Sequence, residues 1–142
     1  MRNLTVVIFV ILGACSNLDD WRYAAARNEE ANAVYPQSYK ADITSLLRTY
    51  LNDPTNIREA FISEPVSKTF NGASRYVVCV RYNAKKSGGQ YAGSKENLFT
   101  FRQGRLDRVV DSIRDPREAR EARELCKDLA MVRFTELEHL TR

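Results

Sequence analysis

The run Arg75-Tyr76-Val77-Val78-Cys79-Val80-Arg81-Tyr82-Asn83 limits this chain's fold more than any other stretch. Tyr76, Val78, Val80 and Tyr82 alternate with Val77, Cys79 and the two arginines. That is the two-residue period of an extended strand. Both of its faces are apolar at the centre. A strand with water on one side alternates cleanly between apolar and polar. This one therefore predicts a middle strand with helix packed on one side, and the other elements must be arranged around it.

Before it, Ile57 to Ser63 reads as a short strand that Pro65 ends or confines to an edge, and Val66 to Phe70 extends the sheet. After it, residues 85–93 form a Gly-rich connection in which Gly88-Gly89 supplies positive φ. Leu98 to Arg102 and Leu106 to Val110 flank Gln103-Gly104, the mark of a hairpin.

Helices are expected on either side of the strand run. Ile43, Leu46, Leu47, Tyr50 and Leu51 recur at the spacing of one helix face, with Asp42 as a start and Asn52-Asp53-Pro54 as a stop. Asp115-Pro116 supplies an N-cap and a first helical residue. An Arg-Glu-Ala repeat follows, with Ala119, Ala122, Cys126 and Leu129 on one narrow face and its charges outside. Phe134, Leu137 and Leu140 give a terminal helix within Met131 to Leu140, with Thr135 as its cap. The prediction is an α+β domain: an antiparallel sheet of about four to five strands with N- and C-terminal helices packed on it.

The 142 residues, 44% hydrophobic and 28% charged, suit one modest globular core. The formal charge of +4 is spread among acids, which is no nucleic-acid signature. His139 is the only histidine and there is no Cys-x-x-Cys, so the sequence points to no catalytic residue, no metal site and no cofactor.

At the N-terminus a basic start, Met1-Arg2-Asn3, precedes an apolar run from Leu4 to Leu12 and then Gly13-Ala14-Cys15. These are the parts of a secretory signal. The run is too short for a bilayer, which needs about 20 apolar residues. Cys15 directly after Leu12-Gly13-Ala14 resembles the lipobox of bacterial lipoproteins. The resemblance implies cleavage between Ala14 and Cys15, a diacylglyceryl group on the Cys15 thiol, and acylation of the new amino group. Ser16 resembles the residue that lets such proteins pass to the outer membrane rather than stay in the inner one.

The division that follows is a signal peptide at 1–14, a lipidated N-terminus and tether at 15–37, and one domain at 38–142, facing the periplasm. The membrane is then a partner through the lipid, an envelope protein is a possible second one, and nucleic acid is not. With Cys15 assigned to lipid, Cys79 and Cys126 remain as an even pair in a compartment that permits disulfides.

Three further segments resemble small uncharacterised lipoproteins of alphaproteobacterial type. They are Tyr39-Lys40-Ala41-Asp42-Ile43, Tyr50-Leu51-Asn52-Asp53-Pro54-Thr55-Asn56 and Ala60-Phe61-Ile62-Ser63-Glu64-Pro65, and the strand from Arg75 belongs with them. That resemblance supplies no activity; a lipid-tethered α+β module with an exposed sheet edge that a partner strand can join points to a structural, assembly or binding role. A different resemblance is carried by Ser87-Gly88-Gly89-Gln90-Tyr91 with Thr100-Phe101-Arg102-Gln103-Gly104. It is similar to the Ser-Gly-x-x-Tyr loop and the following strand of lipoprotein lysozyme inhibitors, and makes Ser87, Gly88 and Tyr91 a candidate interaction loop. Those inhibitors form a β-barrel, against which the helix near residues 42–51 counts.

Overall fold

The computed structural model describes residues 34–110 and 115–141, together with Arg22, Ala24 and Ala25. Its elements in order are α1 (Tyr39–Tyr50), β1 (Asp53–Ser63), β2 (Val66–Phe70), β3 (Ala73–Lys85), β4 (Lys95–Arg102), β5 (Arg105–Val110), α2 (Pro116–Lys127), β6 (Met131–Arg133) and α3 (Thr135–Glu138). The fold is α+β. One antiparallel sheet of six strands runs in the order β5-β4-β3-β1-β6, with β2 also on β3.

The strand from Arg75 is indeed the middle of the sheet. β3 pairs with β4 along one side, and along the other with β1 and then β2, whose registers include Ile62↔Val80 and Val66↔Val77. β1 and β2 thus act as one long strand bent at Glu64-Pro65. Proline there costs no ladder hydrogen bond because it lies in the two-residue break between the stretches that pair with β3.

β1 starts four residues before the strand expected at Ile57. Asn56 and Glu59 have positive φ, each 53°, and the β1–β3 register shifts on either side of Arg58. Extra residues of this kind are bulges, and they shift the side-chain phase. Ile57, Ala60 and Ile62 all reach one core in consequence, at spacings of three and then two. A strict period of two could not reveal that.

Both hairpin turns use backbone that few residues tolerate. Arg102 pairs with Arg105 around Gln103 (φ 54°) and Gly104 (φ 72°), and Phe70 pairs with Ala73 around Asn71 (φ 50°) and Gly72 (φ 73°). Two-residue turns with both φ values positive match the right-handed twist of the strands. Gly104 has a second constraint: a Cβ there would lie 2.9 Å from Cγ1 of Val34 and 3.4 Å from the Tyr35 carbonyl oxygen.

Two cores lie on opposite faces of the sheet. The larger joins Ile43 and Leu47 of α1, Val78, Val80 and Tyr82 of β3, Phe99 and Phe101 of β4, and the C-terminal Phe134, Leu137 and Leu140. Full burial of each such side chain contributes about 1.5–3 kcal/mol. The smaller core joins Phe70, Val77, Cys79, Leu98 and Val110 to Ala122 and Cys126 of α2. Helices therefore cover both faces of β3, where the sequence alone pointed to one. Cys79 and Cys126 are bonded, with Cα atoms 5.7 Å apart.

Three local expectations change. α1 begins at Tyr39 with Ser38 at the N-cap, so Asp42 lies in the first turn and caps nothing. The Arg-Glu-Ala charges are not all outside: Glu118 accepts from the Asn71 amide at 2.8 Å and from Arg108 at 2.9 Å, and Glu121 accepts from Asn71 N–H at 3.0 Å. Those carboxylates fasten α2 to the β2–β3 turn and to β5. The terminal helix is also shorter than expected. Met131–Arg133 adds a sixth strand on β1, and α3 is only four residues long.

Glu138 ties this last segment down. Its Oε1 accepts from the Ala60 N–H at 3.1 Å, beside the Glu59 bulge, and its Oε2 accepts twice from Arg133, at 3.2 and 3.0 Å. Burial pushes the Glu138 carboxyl upward, but the Ala60 N–H and Arg133 pull harder, and its pKa is lowered from the usual 4.5. A depressed carboxyl stabilises the fold above its unfolded-state pKa, and that stability is lost as pH falls through the folded value. Glu138→Gln is expected to cost about 1.5 kcal/mol at pH 7, the lower end for hydrogen bonds to a charged group. Urea titrations should show the gap from the parent closing below about pH 4; a gap that is constant with pH would count against the charged role.

Candidate functional site

A cleft of about 520 Å³ opens at the end of the sheet where α1 finishes. It exists because neighbouring elements end at different lengths. The β4–β5 ladder stops at Leu98↔Val110, while β4 continues back to Lys95 along β3 through Tyr82↔Lys95. Lys95, Glu96 and Asn97 thus overhang β5. The C-terminal end of α1 contributes Tyr50, Leu51 and Asn52 to the same space, and α2 closes it from the opposite face.

The floor is apolar and made of small groups. Leu98 and Val110 from the sheet face Ala119 and Ala122 of α2, Ala84 of β3 lines the same cleft, all of them buried, and Cys126 of the disulfide lies beside them. Alanine at 119 and 122 follows from the narrow apolar face of the Arg-Glu-Ala repeat. Larger residues there would fill the cleft. The bond to Cys79 holds that face against β3.

The rim is cationic. Lys85, Lys86, Lys95 and Arg123 surround the opening, with Glu96 the one carboxylate among the described lining residues. The ion pairs of the described residues use Lys40, Arg75, Arg108, Lys127 and Arg133, and none of these four. Amide and hydroxyl groups stand between charge and floor: Asn97 Nδ2 donates to the Tyr82 hydroxyl at 3.0 Å. Clustered like charges over low-dielectric walls concentrate their field in the opening and attract a counter-ion. Chemically, the arrangement can hold an anion; it has no nucleophile with an adjacent base among the described lining residues.

The chain joins the domain at the other end. Tyr35 and Tyr39 hydroxyls donate to Glu64 Oε2 at 3.5 and 3.1 Å, and the Tyr35 ring meets Tyr76 edge-on at 5.4 Å. Burial first, then the hydrogen bond to Glu64, pushes the Tyr39 pKa up to about 12. Pro36 is buried as well, so packing begins ahead of the helix. α1 leads from this cluster to the cleft over its 12 residues, a run of about 18 Å.

The residues singled out from the sequence divide three ways. Ala14 and Cys15 lie outside the described residues, as does the tether except Arg22, Ala24, Ala25 and its end from residue 34. Cys79 and Cys126 come together and back the cleft. Ser87 and Gly88 sit exposed on a tip closed by Lys86 N–H to the Gln90 carbonyl at 2.8 Å. Tyr91 is turned into the domain instead. Its hydroxyl donates to the Asn56 carbonyl at 2.8 Å, and the Arg58 guanidinium lies 4.1 Å from its ring centroid.

Lys85, Lys86, Lys95 and Arg123 were not singled out from the sequence. Lys85-Lys86 at the start of the Gly-rich connection was the only local sign. Arg123 belongs to a repeat whose charges nearly cancel, and only the crossing of α2 over the sheet brings it to the lysines. Among the described residues no group of His, Cys, Asp and Glu could hold a metal ion, and no helix is long and apolar enough to cross a membrane. No protein-family model, curated protein or solved structure matches this chain.

Proposed function

We propose that this protein is a lipid-anchored lipoprotein of the bacterial envelope whose domain faces the periplasm and binds rather than catalyses. The use of the cysteines carries the reading. Cys79 and Cys126 are taken up by one bond of a kind that persists in oxidising compartments. The remaining cysteine, Cys15, stands directly after Leu12-Gly13-Ala14 at the end of a signal-like segment. One acyl chain holds a protein reversibly and two or more hold it durably, so a diacylated Cys15 anchors a small domain without a membrane-spanning helix.

The domain's polarity supports the same view. The chain enters beside Glu64 and Tyr76, and the cleft opens at the other end of α1. The cleft thus stands one helix length from the point where the chain enters the domain. Ser16 points to the outer membrane as the destination. The inhibitor-like loop supports a lysozyme-directed role less well, because Tyr91 is bonded to β1 and stacked under Arg58.

Cys15→Ser tests the anchor. The parent should incorporate labelled palmitate and partition with outer membranes, and its mature mass should begin at an acylated Cys15. The variant should take up no label and stay uncleaved. A parent without acyl groups, or one recovered from the cytosol, would overturn the proposal.

A further inference from the structure

The geometry points to a ligand class for the cleft: a small amphipathic anion, with an apolar chain or ring on the floor and a carboxylate or phosphate at the rim. This deepens the reading of the domain as a binding module, yet it is independent of the anchor at Cys15.

Three observations combine. The floor formed by Leu98, Val110, Ala119 and Ala122 is apolar and has no hydrogen-bonding side chain, so a polar group laid on it loses its water partners without replacement and an apolar one does not. Each methylene laid on it contributes about 0.8 kcal/mol. The rim sets four cations against Glu96, and no carboxylate among the described residues pairs with those cations. A sugar-headed or zwitterionic amphiphile would satisfy the floor and leave the rim uncompensated. A bare inorganic anion would do the reverse. The volume of about 520 Å³ lies within the range of roughly 300–1,000 Å³ typical of small-ligand sites.

The two halves of the site also come from different elements. Lys95 begins β4, Arg123 belongs to α2, and the Cys79–Cys126 bond fixes their separation by holding α2 on β3. The site is preorganised, and less ordering is required of it on binding.

The test is calorimetric titration of the protein as purified from membranes, held in phosphatidylcholine nanodiscs, with empty discs as blank. The probes are octanoate, octyl phosphate, octyl glucoside and inorganic phosphate. Octanoate, octyl phosphate or both should bind, on the order of ten micromolar, and which of them does tells a carboxylate source from a phosphate one. Octyl glucoside and inorganic phosphate should bind at least tenfold more weakly.

Lys95→Gln with Arg123→Gln alters only exposed side chains, and should weaken the anionic probes about tenfold, two surface charges' worth. Ala122→Leu should abolish binding by filling the floor; because Ala122 belongs to the smaller core the added bulk also lowers the thermal midpoint, and an unchanged circular dichroism spectrum verifies the fold. Failure of both anionic amphiphiles to bind overturns the inference. So does equal binding of octyl glucoside or inorganic phosphate, or unchanged affinity in the double glutamine variant. Binding without acylation at Cys15 would sink the anchor alone; acylation without binding would sink this inference alone.

Discussion

Replacing Cys79 and Cys126 together by alanine is expected to lower the unfolding free energy by about 4 kcal/mol, on the chain-entropy account of a closed loop of this size. The bond spans 47 positions of sequence and joins the middle strand to α2. Its loss should fall hardest on that helix, because α2 buries little else. Its inward residues Ala119 and Ala122 are small, and the ties from Glu118 and Glu121 to Arg108 and Asn71 are partly exposed. Urea unfolding of the double variant should match that of the dithiothreitol-reduced parent. Hydrogen exchange should show residues 116–127 losing protection first, as a locally opening unit. A loss below about 1 kcal/mol, or protection unchanged in α2, would mean that packing rather than the covalent link holds the helix.

Phe134→Ala should cost about 3–5 kcal/mol, the range for removing a buried aromatic ring. Phe134 is fully buried between the sheet and α3, next to Leu137, and its backbone N–H donates to the Ala60 carbonyl at 2.8 Å. The surroundings have limited means of closing the gap, since Ala60 is pinned on both sides by Phe134 and Glu138. Val132 provides the control. It lies two residues away and is 55% exposed, so Val132→Ala should change stability by no more than about 0.5 kcal/mol. Thermal and urea midpoints of the two variants, measured side by side, check this. Equal effects would contradict the burial assigned to Phe134.

The sequence by itself determined whatever depends on neighbours along the chain. The alternation from Arg75 to Asn83 identified the middle strand, the stripe from Ile43 to Leu51 identified α1, and Gln103-Gly104 identified a hairpin. Asp115 at the N-cap is of the same kind: its carboxylate accepts from Arg117 and Glu118 N–H at 2.8 and 3.3 Å. In each case the cause is local, a side-chain period or a backbone preference, and a short window contains it. Phe134, Leu137 and Leu140 were correctly marked as apolar partners, although their spacing fits a bent strand-to-helix segment as well as a longer helix.

Only the tertiary structure decided what depends on phase and on distance in sequence. The bulges at Asn56 and Glu59 lengthened β1 and reset its inward face. β6 is three residues long, too short for any period to register. The Asn71-Gly72 turn passed without notice beside the short strand before it. The cleft is the clearest case. Lys85, Lys95 and Arg123 come from two strands and a helix, and each alone reads as an ordinary solvated charge. Their common opening results from β4 outrunning β5, from alanines on the face of α2, and from a disulfide that holds that face to the sheet. These are relations between elements, and a single window of sequence contains none of them.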